Sequence, residues 1–356
     1  MNKKNFWKGK KVFITGHTGF KGSWLSIWLK MLGAKVYGYS LNPPTKPSIY
    51  HLARLDQYID KSYIRNIQDI NDLKRVISTT RPNVLFHLAA QTSVRYSYKH
   101  PIETIKTNII GSSNLLEAIK NRNNLRSVVM IATDKVYENY EKKLSFKETH
   151  PLGGKDIYSV SKASSELIVN AYRHSFFSNN KTFIASARSG NVIGGGDWTK
   201  DRIVPDCLNA FIKNQKLTIR YPNSIRPWQH VLEPLHGYLI LAQKLYSTKG
   251  SKYAQPWNFG PTRKNTTKVI DLAKKLKKIM NSNSKIYLSK KNYFHETKYL
   301  SLDSSKSRKF LKWEKFLNLD KTLKLTVDWF YDFKNKKNLR ETCIRQIKYF
   351  TKITNG

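Results

Sequence analysis

A glycine-rich loop between an apolar run and a helical segment is the feature that most constrains this fold. The run "KVFIT" at 11–15 leads into "GHTGFKG", where Gly16, Gly19 and Gly22 have a G-x-x-G-x-x-G spacing. The segment that follows, "FKGSWLSIWLKMLG", has an apolar stripe at helical period, and Gly33 can end it. This strand–loop–helix order is typical of dinucleotide sites, where backbone and helix N–H groups hold a pyrophosphate. The alternative is a glycine turn with only a packing role.

Further short apolar runs alternate with helical segments through the first half of the chain. Near-continuous apolar runs are expected for parallel strands that are buried on both faces. The strand candidates are 11–15, 34–40, 83–90, 127–133 and 182–188. The β-α-β alternation predicts an α/β protein with a Rossmann-type, doubly wound parallel sheet and a smaller C-terminal substrate-binding domain.

The composition is strongly basic, with 64 Lys and Arg against 24 Asp and Glu and a formal net charge of +40. The basic residues are scattered, and the densest run is "KNKKNLRETCIRQIKYFTK" near the end. No nucleic-acid motif accompanies them, so we expect a Lys-rich surface and no specific nucleic-acid partner. A nucleic acid or an anionic membrane is the alternative partner that such a charge allows.

Cysteine usage and hydropathy indicate a cytoplasmic protein without a metal site. Cys207 and Cys343 are far apart, which suggests neither a disulfide framework nor a zinc site. No apolar stretch approaches the roughly eighteen residues of a membrane span, so no membrane partner is expected. The N-terminal apolar run is short and ends in the glycine loop, so it reads as a first strand and not as a signal peptide.

One motif carries two candidate reactive side chains. "YSVSK" places Tyr158 and Lys162 four residues apart, on one face of a helix over 158–177. A free tyrosine has a pKa near 10, and a neighbouring ammonium favours the phenolate and lowers that pKa. Tyr158 could then act as a base, with the Thr133 hydroxyl bonding to the reacting oxygen beside it. An exposed helix with ordinary polar residues is the alternative.

The order of "TGHTGFKG", "HLAAQ", "TDKVYEN", "YSVSK" and "RSGNVIGGGDW" resembles the extended short-chain dehydrogenase/reductase superfamily that acts on nucleotide sugars. More narrowly, "GHTGFKGSWLSIWL", "DKVYEN", "GNVIGGGDW" and "SIRPWQHVLEPLHGYL" resemble the CDP-glucose 4,6-dehydratase family. The similarity runs from about Phe6 to about residue 330. It implies NAD as cofactor, CDP-glucose as substrate, a homodimer or homotetramer, and a role in deoxysugar synthesis for surface polysaccharide.

The resemblance also implies a mechanism. In that family the sugar is oxidised at C4, water is lost across C5 and C6, and the hydride returns to C6. Carried over, Tyr158 is the base for oxidation, Lys162 is its partner, and Thr133 orients the C4 oxygen. Asp134 would protonate the departing C6 hydroxyl. Lys135 would either take the C5 proton or stabilise the enolate.

Binding residues follow from the same motifs. The residues expected to bind the cofactor are Gly16, Thr18, Gly19, Phe20, Gly22, Asn42, Asn66, Ile67, Leu88, Ala89, Ala90, Tyr158 and Lys162. The residues expected to bind the substrate are Gln91, Asn191, Arg202, Val204, Arg226, Gln229 and His230. Asn42 and Asn66 depart from the family pattern, which often has aspartate at both positions. Lys46 and Arg54 lie near Asn42 in the sequence and leave NADP as an alternative.

The expected domain organisation combines the pattern with the resemblance. Residues 6–190 form an NAD-binding Rossmann domain, to which 224–260 return. Residues 191–223 and 261–330 form the nucleotide-sugar-binding domain, and 331–356 form a basic C-terminal tail. Two alternatives for function are kept. One is a dehydratase or epimerase for another nucleotide sugar, and the other is a non-catalytic NAD-binding scaffold with a basic surface.

Overall fold

A computed structural model describes residues 6–140, 144–179, 181–261, 266–289, 297 and 299–355. The strands of its main sheet are β1 (Lys11–Thr15), β2 (Lys35–Ser40), β3 (Lys61–Ile64), β4 (Val84–His87), β5 (Ser127–Thr133), β6 (Phe183–Ser189) and, later in the chain, β11 (Pro256–Phe259). Short strands elsewhere are β7 (Val192–Ile193), β8 (Leu217–Ile219), β9 (Ile225–Arg226), β10 (Gln229–His230), β12 (Thr267–Lys268) and β13 (Ile286–Leu288).

The α-helices surround this sheet and form much of the rest of the molecule. They are α1 (Phe20–Met31), α2 (Ile49–Leu52), α3 (Leu55–Tyr58), α4 (Ile70–Thr80), α5 (Val94–Lys99), α6 (Pro101–Ile105), α7 (Gly111–Ile119), α8 (Ile157–Phe176), α9 (Ile203–Ile212), α10 (Leu232–Tyr246), α11 (Val269–Ile279), α12 (Leu319–Lys334) and α13 (Leu339–Asn355). Helices α6 and α7 are joined through a π-helical turn, Lys106–Ile110. No helix in the described ranges combines the length and the apolar character that crossing a bilayer requires.

The seven main strands are ordered β11-β6-β5-β4-β1-β2-β3, and every neighbouring pair is parallel. The chain runs outward from β1 through β2 and β3, and then crosses to β4 on the other side of β1. Loops that leave β1 and β4 therefore diverge, which opens the crevice where doubly wound sheets bind their ligands. The predicted fold class is confirmed.

The five predicted strands agree with the structure to within a few residues, but two strands of the main sheet and the short strands outside it were not predicted. Strand β5 is buried along its whole length and lies inside the sheet, between β4 and β6, as its apolar run indicates. Strand β3, "KSYI", is at the sheet edge and only partly buried, so it carries no apolar run. Strand β11 pairs with β6 from far along the chain, and a local pattern does not report that pairing.

Outside the main sheet, the short strands pair as β7 with β10, β8 with β13 and β9 with β12. Most of these strands come from 191–223 and 261–330, whereas β11, within 224–260, joins the main sheet. The segment expected to be a basic tail is mostly helical and packed. In α13, Cys343, Ile347 and Phe350 are buried, and the Phe350 ring meets Trp28 of α1 at 5.8 Å between centroids. Its basic residues lie on a helix with an apolar side, which is why charge alone suggested a tail.

Candidate active site

Thr133 and Asp134 lie where the central strand β5 ends and a 3-10 turn, Asp134–Val136, begins. The Thr133 hydroxyl accepts from the backbone N–H of Lys135 at 3.3 Å and donates to Asp134 Oδ1 at 3.1 Å. A threonine in this position ends the strand and caps the turn, so both side chains stay at the sheet's carboxyl edge. This is the edge at which doubly wound folds place their chemistry.

The Asp134 carboxyl is buried, with 3% of the residue exposed. Its Oδ2 atom has no hydrogen-bond partner among the described residues. Burial raises the pKa of Asp134, against the opposing effects of Lys135, the Thr133 hydroxyl, Arg226 and Lys21. A carboxyl with a raised pKa keeps its proton to higher pH, which suits a general acid.

Tyr158 and Lys162 share one face of α8, which begins after the capping residue Asp156. Both are buried, and the Tyr158 hydroxyl hydrogen-bonds Thr133. Burial raises the pKa of Tyr158 to about 12, and the hydrogen bond with Thr133 and the charge of Arg202 oppose this rise. The expectation of a lowered tyrosine pKa is therefore wrong for the chain alone, because desolvation outweighs the favourable charges. Lys162 donates to the Ile131 carbonyl at 3.0 Å, and burial lowers its own pKa to about 8.

The three loop glycines have different structural requirements. Gly16 has a φ of +76°, and a Cβ there would lie 2.6 Å from the Ala89 nitrogen. A Cβ on Gly22 would lie 2.1 Å from the Gly16 oxygen. A Cβ on Gly19 would meet only the Gly16 oxygen, at 3.4 Å, so packing within the chain does not demand glycine there. Gly19 precedes the free N–H groups of α1, and a glycine there leaves room for a phosphate.

Neighbouring residues complete a cradle that fits a dinucleotide. Thr18 donates to the Leu41 carbonyl at 2.9 Å, and Phe20 begins α1. Leu88, Ala89 and Ala90 follow β4 directly and are partly buried, and the Ala89 N–H donates to Thr15 at 3.2 Å. These contacts hold the two loops that face each other across the crevice.

The residues expected at the far end of the cofactor follow β2 and β3. Asn42 is exposed just after β2. Asn66 is exposed after β3, where its Oδ1 accepts from the Gln68 N–H at 3.0 Å. Ile67 is buried, and a Cβ on Gly111 would lie 2.7 Å from its Cγ2 atom. Asn42 follows the carboxyl end of β2, which is next to β1, and Asn66 and Ile67 follow that of β3, the edge strand beyond β2.

Among the expected substrate residues, two arginines have an electrostatic effect on the reactive side chains. The charge of Arg202 lowers the pKa of Tyr158, and the charge of Arg226 lowers that of Asp134. Arg202 is partly exposed and ion-pairs with Asp197 at 3.0 Å, whereas Arg226 is buried. Asn191 lies two residues beyond β6, and its carbonyl accepts from the Gln229 N–H at 3.1 Å.

The remaining expected substrate residues are engaged by the protein itself. Gln91 donates to Thr104 at 2.9 Å and to the Ser93 carbonyl at 3.0 Å. Val204 is buried in the main core, and Gln229 is fully buried and donates to the Phe259 carbonyl at 2.9 Å. His230 is fully buried, with its ring 6.2 Å from that of Trp24. Gln229 Oε1 and His230 Nε2 are buried and have no hydrogen-bond partner among the described residues, and substrate contact by Val204, Gln229 and His230 stays a prediction.

Comparison with known proteins agrees with the motifs. Residues 13–326 match the family model described as GDP-mannose 4,6 dehydratase. The chain belongs to this family. A CDP-glucose 4,6-dehydratase of Salmonella typhimurium is 47% identical over 92% of this chain and 92% of its own length. The sequence similarity therefore extends along nearly the whole chain.

Two solved structures show how widely the family's fold is shared. A UDP-glucose 4-epimerase of Thermotoga maritima, solved with UDP-glucose, has a TM-score of 0.80 at 24% identity and covers 91% of this chain and 99% of its own. A dTDP-glucose 4,6-dehydratase of Bacillus anthracis, solved with NAD, has a TM-score of 0.77 at 21% identity and covers 92% and 99%.

One charged residue of the site was missed from sequence. Lys21, in the first turn of α1, is partly buried and donates to Ser189 Oγ at 3.0 Å. Its pKa is lowered to about 7 by burial and by the charges of Arg202 and Lys162, against the opposing effect of Asp134. The available signal was its place inside "GFKGSWLSIWL", where every neighbour is small or apolar, since an isolated lysine in a buried segment indicates a special environment.

Proposed function

We propose that this protein catalyses the NAD-dependent dehydration of CDP-glucose to CDP-4-dehydro-6-deoxyglucose. The observation that carries the proposal is the buried Asp134 carboxyl, which lies next to a threonine that hydrogen-bonds Tyr158. A 4-epimerase needs no acid beyond the C4 site, whereas elimination of the C6 hydroxyl does. The relative named CDP-glucose 4,6-dehydratase, at 47% identity, supports the choice of nucleotide.

The residues around the glycine loop fit NAD. Gly19 leaves room where a phosphate would approach, and the first N–H groups of α1 would bind its charge. When bound, NAD supplies the acceptor and later the donor of the hydride. We propose NAD in preference to NADP, with Asn42 hydrogen-bonding the ribose and Asn66 and Ile67 next to the adenine.

Oxidation at C4 needs a base. Tyr158 would take the C4 hydroxyl proton, and Thr133 would hold the same oxygen by a hydrogen bond. Lys162 lies one helical turn away, and its positive charge favours the phenolate. Burial raises the pKa of Tyr158 to about 12 in the chain alone, and the positively charged nicotinamide ring of bound NAD would lower it.

Elimination then needs an acid at C6 and a base or cation at C5. The ketone at C4 acidifies the C5 proton, and the C6–O bond breaks as Asp134 gives its proton to the departing hydroxyl, forming water. Lys135, directly after Asp134 and partly exposed, would take the C5 proton or stabilise the enolate. The hydride returns to C6 and a proton returns to C5, so that the net change is the loss of one water molecule.

The diphosphate is assigned to Arg202 and Arg226. Arginine presents parallel N–H donors that match a phosphate's oxygens. Arg202 is exposed enough to exchange its Asp197 partner for an anionic ligand. Asn191 and Gln91 lie at loops beside the same crevice and are proposed to contact the sugar.

We propose a cytoplasmic enzyme that forms homodimers or homotetramers. Both cysteines are unpaired and buried, which fits a reducing compartment. Ile102, Ile110 and Leu167, on the segment from α6 to the π turn and on α8, are large apolar residues left 62%, 47% and 59% exposed. Such a surface suits contact with a second copy, and sedimentation of the purified protein tests it.

The decisive test of the proposed function is a nucleotide panel. The purified protein is incubated with NAD and with CDP-, dTDP-, GDP- or UDP-glucose, and products are identified by NMR. We expect a 4-keto-6-deoxy sugar from CDP-glucose at a rate well above the others. Turnover of only another nucleotide sugar contradicts the substrate, and an epimer that keeps its C6 hydroxyl contradicts the reaction.

The role of Lys135 needs its own variant. Lys135→Ala is expected to slow elimination more than C4 oxidation, because the side chain serves only the C5 centre. Lys155→Ala, in the loop before α8, removes the same charge as a control. An equal loss in both steps would indicate that Lys135 positions the substrate.

A further inference from the structure

Lys21 places a cation beside the proposed acid without belonging to the set Thr133, Asp134, Tyr158 and Lys162. Its Nζ atom donates to Ser189 Oγ at 3.0 Å, and Ser189 Oγ also hydrogen-bonds the Tyr238 hydroxyl at 2.8 Å. The Tyr238 ring centroid lies 5.9 Å from the same Nζ. These contacts fix the ammonium at the carboxyl end of β6.

The carboxyl end of β6 is also where Asp134 lies. Ser189 is the register partner of Thr133 across the β5–β6 ladder. At the next residue, a Cβ added to Gly190 would come within 2.9 Å of Asp134 Oδ2. The chain therefore holds the Lys21 ammonium through Ser189 and passes beside Asp134 Oδ2 at Gly190. That oxygen has no hydrogen-bond partner in the described part of the chain.

We propose that Lys21 is a positioning residue for the elimination step, whose charge sets the protonation of Asp134. This inference rests on the proposed function, in which Asp134 acts as the acid at C6. A charged Lys21 favours the ionised carboxylate, and a neutral Lys21 favours the protonated carboxyl that can donate. Ser189 and Tyr238 hold the amine close enough for this influence but leave the Asp134 proton free for the substrate.

Several other charged groups affect the protonation of Lys21 and Asp134. Arg202, from the loop before α9, and Lys162, from α8, disfavour the charge on Lys21. Lys135 and Arg226 favour ionisation of Asp134, as Lys21 does, whereas burial opposes it. The lowered pKa of Lys21, about 7, means that its charge is lost as the pH rises through neutrality, and Asp134 then holds its proton more firmly.

Two substitutions separate charge from structure. Lys21→Arg keeps a positive charge at every accessible pH, and Lys21→Met removes it with a side chain of similar length. The pKa of Asp134 is expected to be lowest in the arginine variant and highest in the methionine variant, with a separation of about one pH unit. Lys30→Met, at the other end of α1 and paired with Asp60 on the surface, removes the same charge as a control.

The experiment has two readouts. The first is the pH titration of the Asp134 carboxyl by carbon-13 NMR in the free protein, which does not depend on turnover. The second is the pH–rate profile for dehydration of CDP-glucose at saturating NAD. The fall in rate on the alkaline side of this profile, its alkaline limb, reports deprotonation of Asp134. Both are expected to move to lower pH in Lys21→Arg and to higher pH in Lys21→Met, with no movement in Lys30→Met.

Coincident Asp134 titrations in the two Lys21 variants would overturn the inference. The inference would also be overturned if the alkaline limbs of the two pH–rate profiles coincided while the rates fell equally at every pH. That pattern indicates a structural role for Lys21. Absence of CDP-glucose turnover in the wild-type protein would instead contradict the proposed function, and the free-protein titration would still decide whether Lys21 acts on Asp134.

Discussion

Two clusters of ionisable side chains lie side by side where β5 and β6 approach the crevice, and they are satisfied to different degrees. In the first, the Arg188 guanidinium makes two hydrogen bonds to the Glu166 carboxylate, at 2.7 and 2.6 Å, and a third to the Tyr137 hydroxyl at 2.7 Å. In the second, Asp134 has one partnered oxygen and one without a partner in the described structure. The clusters are close, since Arg188 pairs in register with Ala132.

The difference separates a structural cluster from a reactive one. A buried carboxylate that is paired at both oxygens with an arginine is fixed in charge and position. A buried carboxyl with a raised pKa and an unused oxygen can hold a proton and release it. Paired groups therefore hold α8 against the sheet, and the incompletely paired ones lie where we propose that the sugar reacts.

Removal of the base is expected to give the largest effect on activity. Tyr158→Phe removes the group proposed to take the C4 proton, and turnover should fall by about 10³ to 10⁴, the upper part of the range for general acid–base residues. Tyr172→Phe on the same helix, whose hydroxyl lies 3.5 Å from Glu117, is the control and should stay near wild type. Initial rates of CDP-glucose consumption measure both, and a similar fall in the two variants would contradict the assignment.

Breaking the paired cluster is expected to affect stability most. Glu166→Gln leaves the buried Arg188 charge without its carboxylate, which should reduce the free energy of unfolding by about 3 to 5 kcal/mol. Glu117→Gln, which breaks a partly exposed pair with Lys120 at 3.0 Å, is the control and should cost about 1 kcal/mol or less. Urea unfolding measures both, and equal losses would remove the contrast between the two kinds of pair.

Changing the incompletely paired acid should affect chemistry and leave folding nearly intact. Asp134→Asn cannot donate a proton, so elimination should slow by about 10², while C4 oxidation continues. Transient absorbance of the reduced cofactor during a single turnover separates the steps. Slowing of both steps by the same factor would show that Asp134 positions the substrate and does not act as an acid.

Two glycines of the loop after β1 also differ, because packing within the chain constrains Gly22 but not Gly19. Substitution of Gly19 has the smallest expected effect on function. Gly19→Ala meets no closer atom than the Gly16 oxygen at 3.4 Å, so the fold should persist while NAD affinity falls about tenfold, or about 1.4 kcal/mol. Gly22→Ala, whose Cβ would lie 2.1 Å from that oxygen, should unfold the loop. Calorimetric NAD titration and thermal unfolding distinguish them, and unchanged NAD affinity in Gly19→Ala would contradict the phosphate cradle.

The sequence predicted those features that depend on local pattern. Buried strands such as β5 and the loop after β1 can be recognised from runs of neighbouring residues, and the proposed reactive set rests on the resemblance of its motifs to a known family. Strand β11 and the burial of His230 depend on contacts with distant parts of the chain, so neither could be predicted from local residues. The local sequence marks Lys21 only as an isolated lysine among small and apolar residues, and its contact with Ser189 depends on the distant strand β6.

The pKa of Tyr158 shows a second limit of prediction from the sequence. The four-residue spacing predicts the neighbouring lysine, but the spacing does not report how deeply the phenol is buried, and desolvation is the larger effect. The sequence therefore identified Tyr158 and Lys162 as neighbours. Only the structure showed that burial changes the pKa of Tyr158 more than the neighbouring charges do.

The most direct test of the central claim follows one hydrogen. CDP-glucose carrying deuterium at C4 is converted in ordinary water with NAD, and the product is examined by proton and deuterium NMR. Oxidation by Tyr158 and elimination with Asp134 predict a 4-keto-6-deoxy product that carries the deuterium at C6. Deuterium retained at C4 of a sugar with inverted configuration and an intact C6 hydroxyl would show an epimerase and contradict the account.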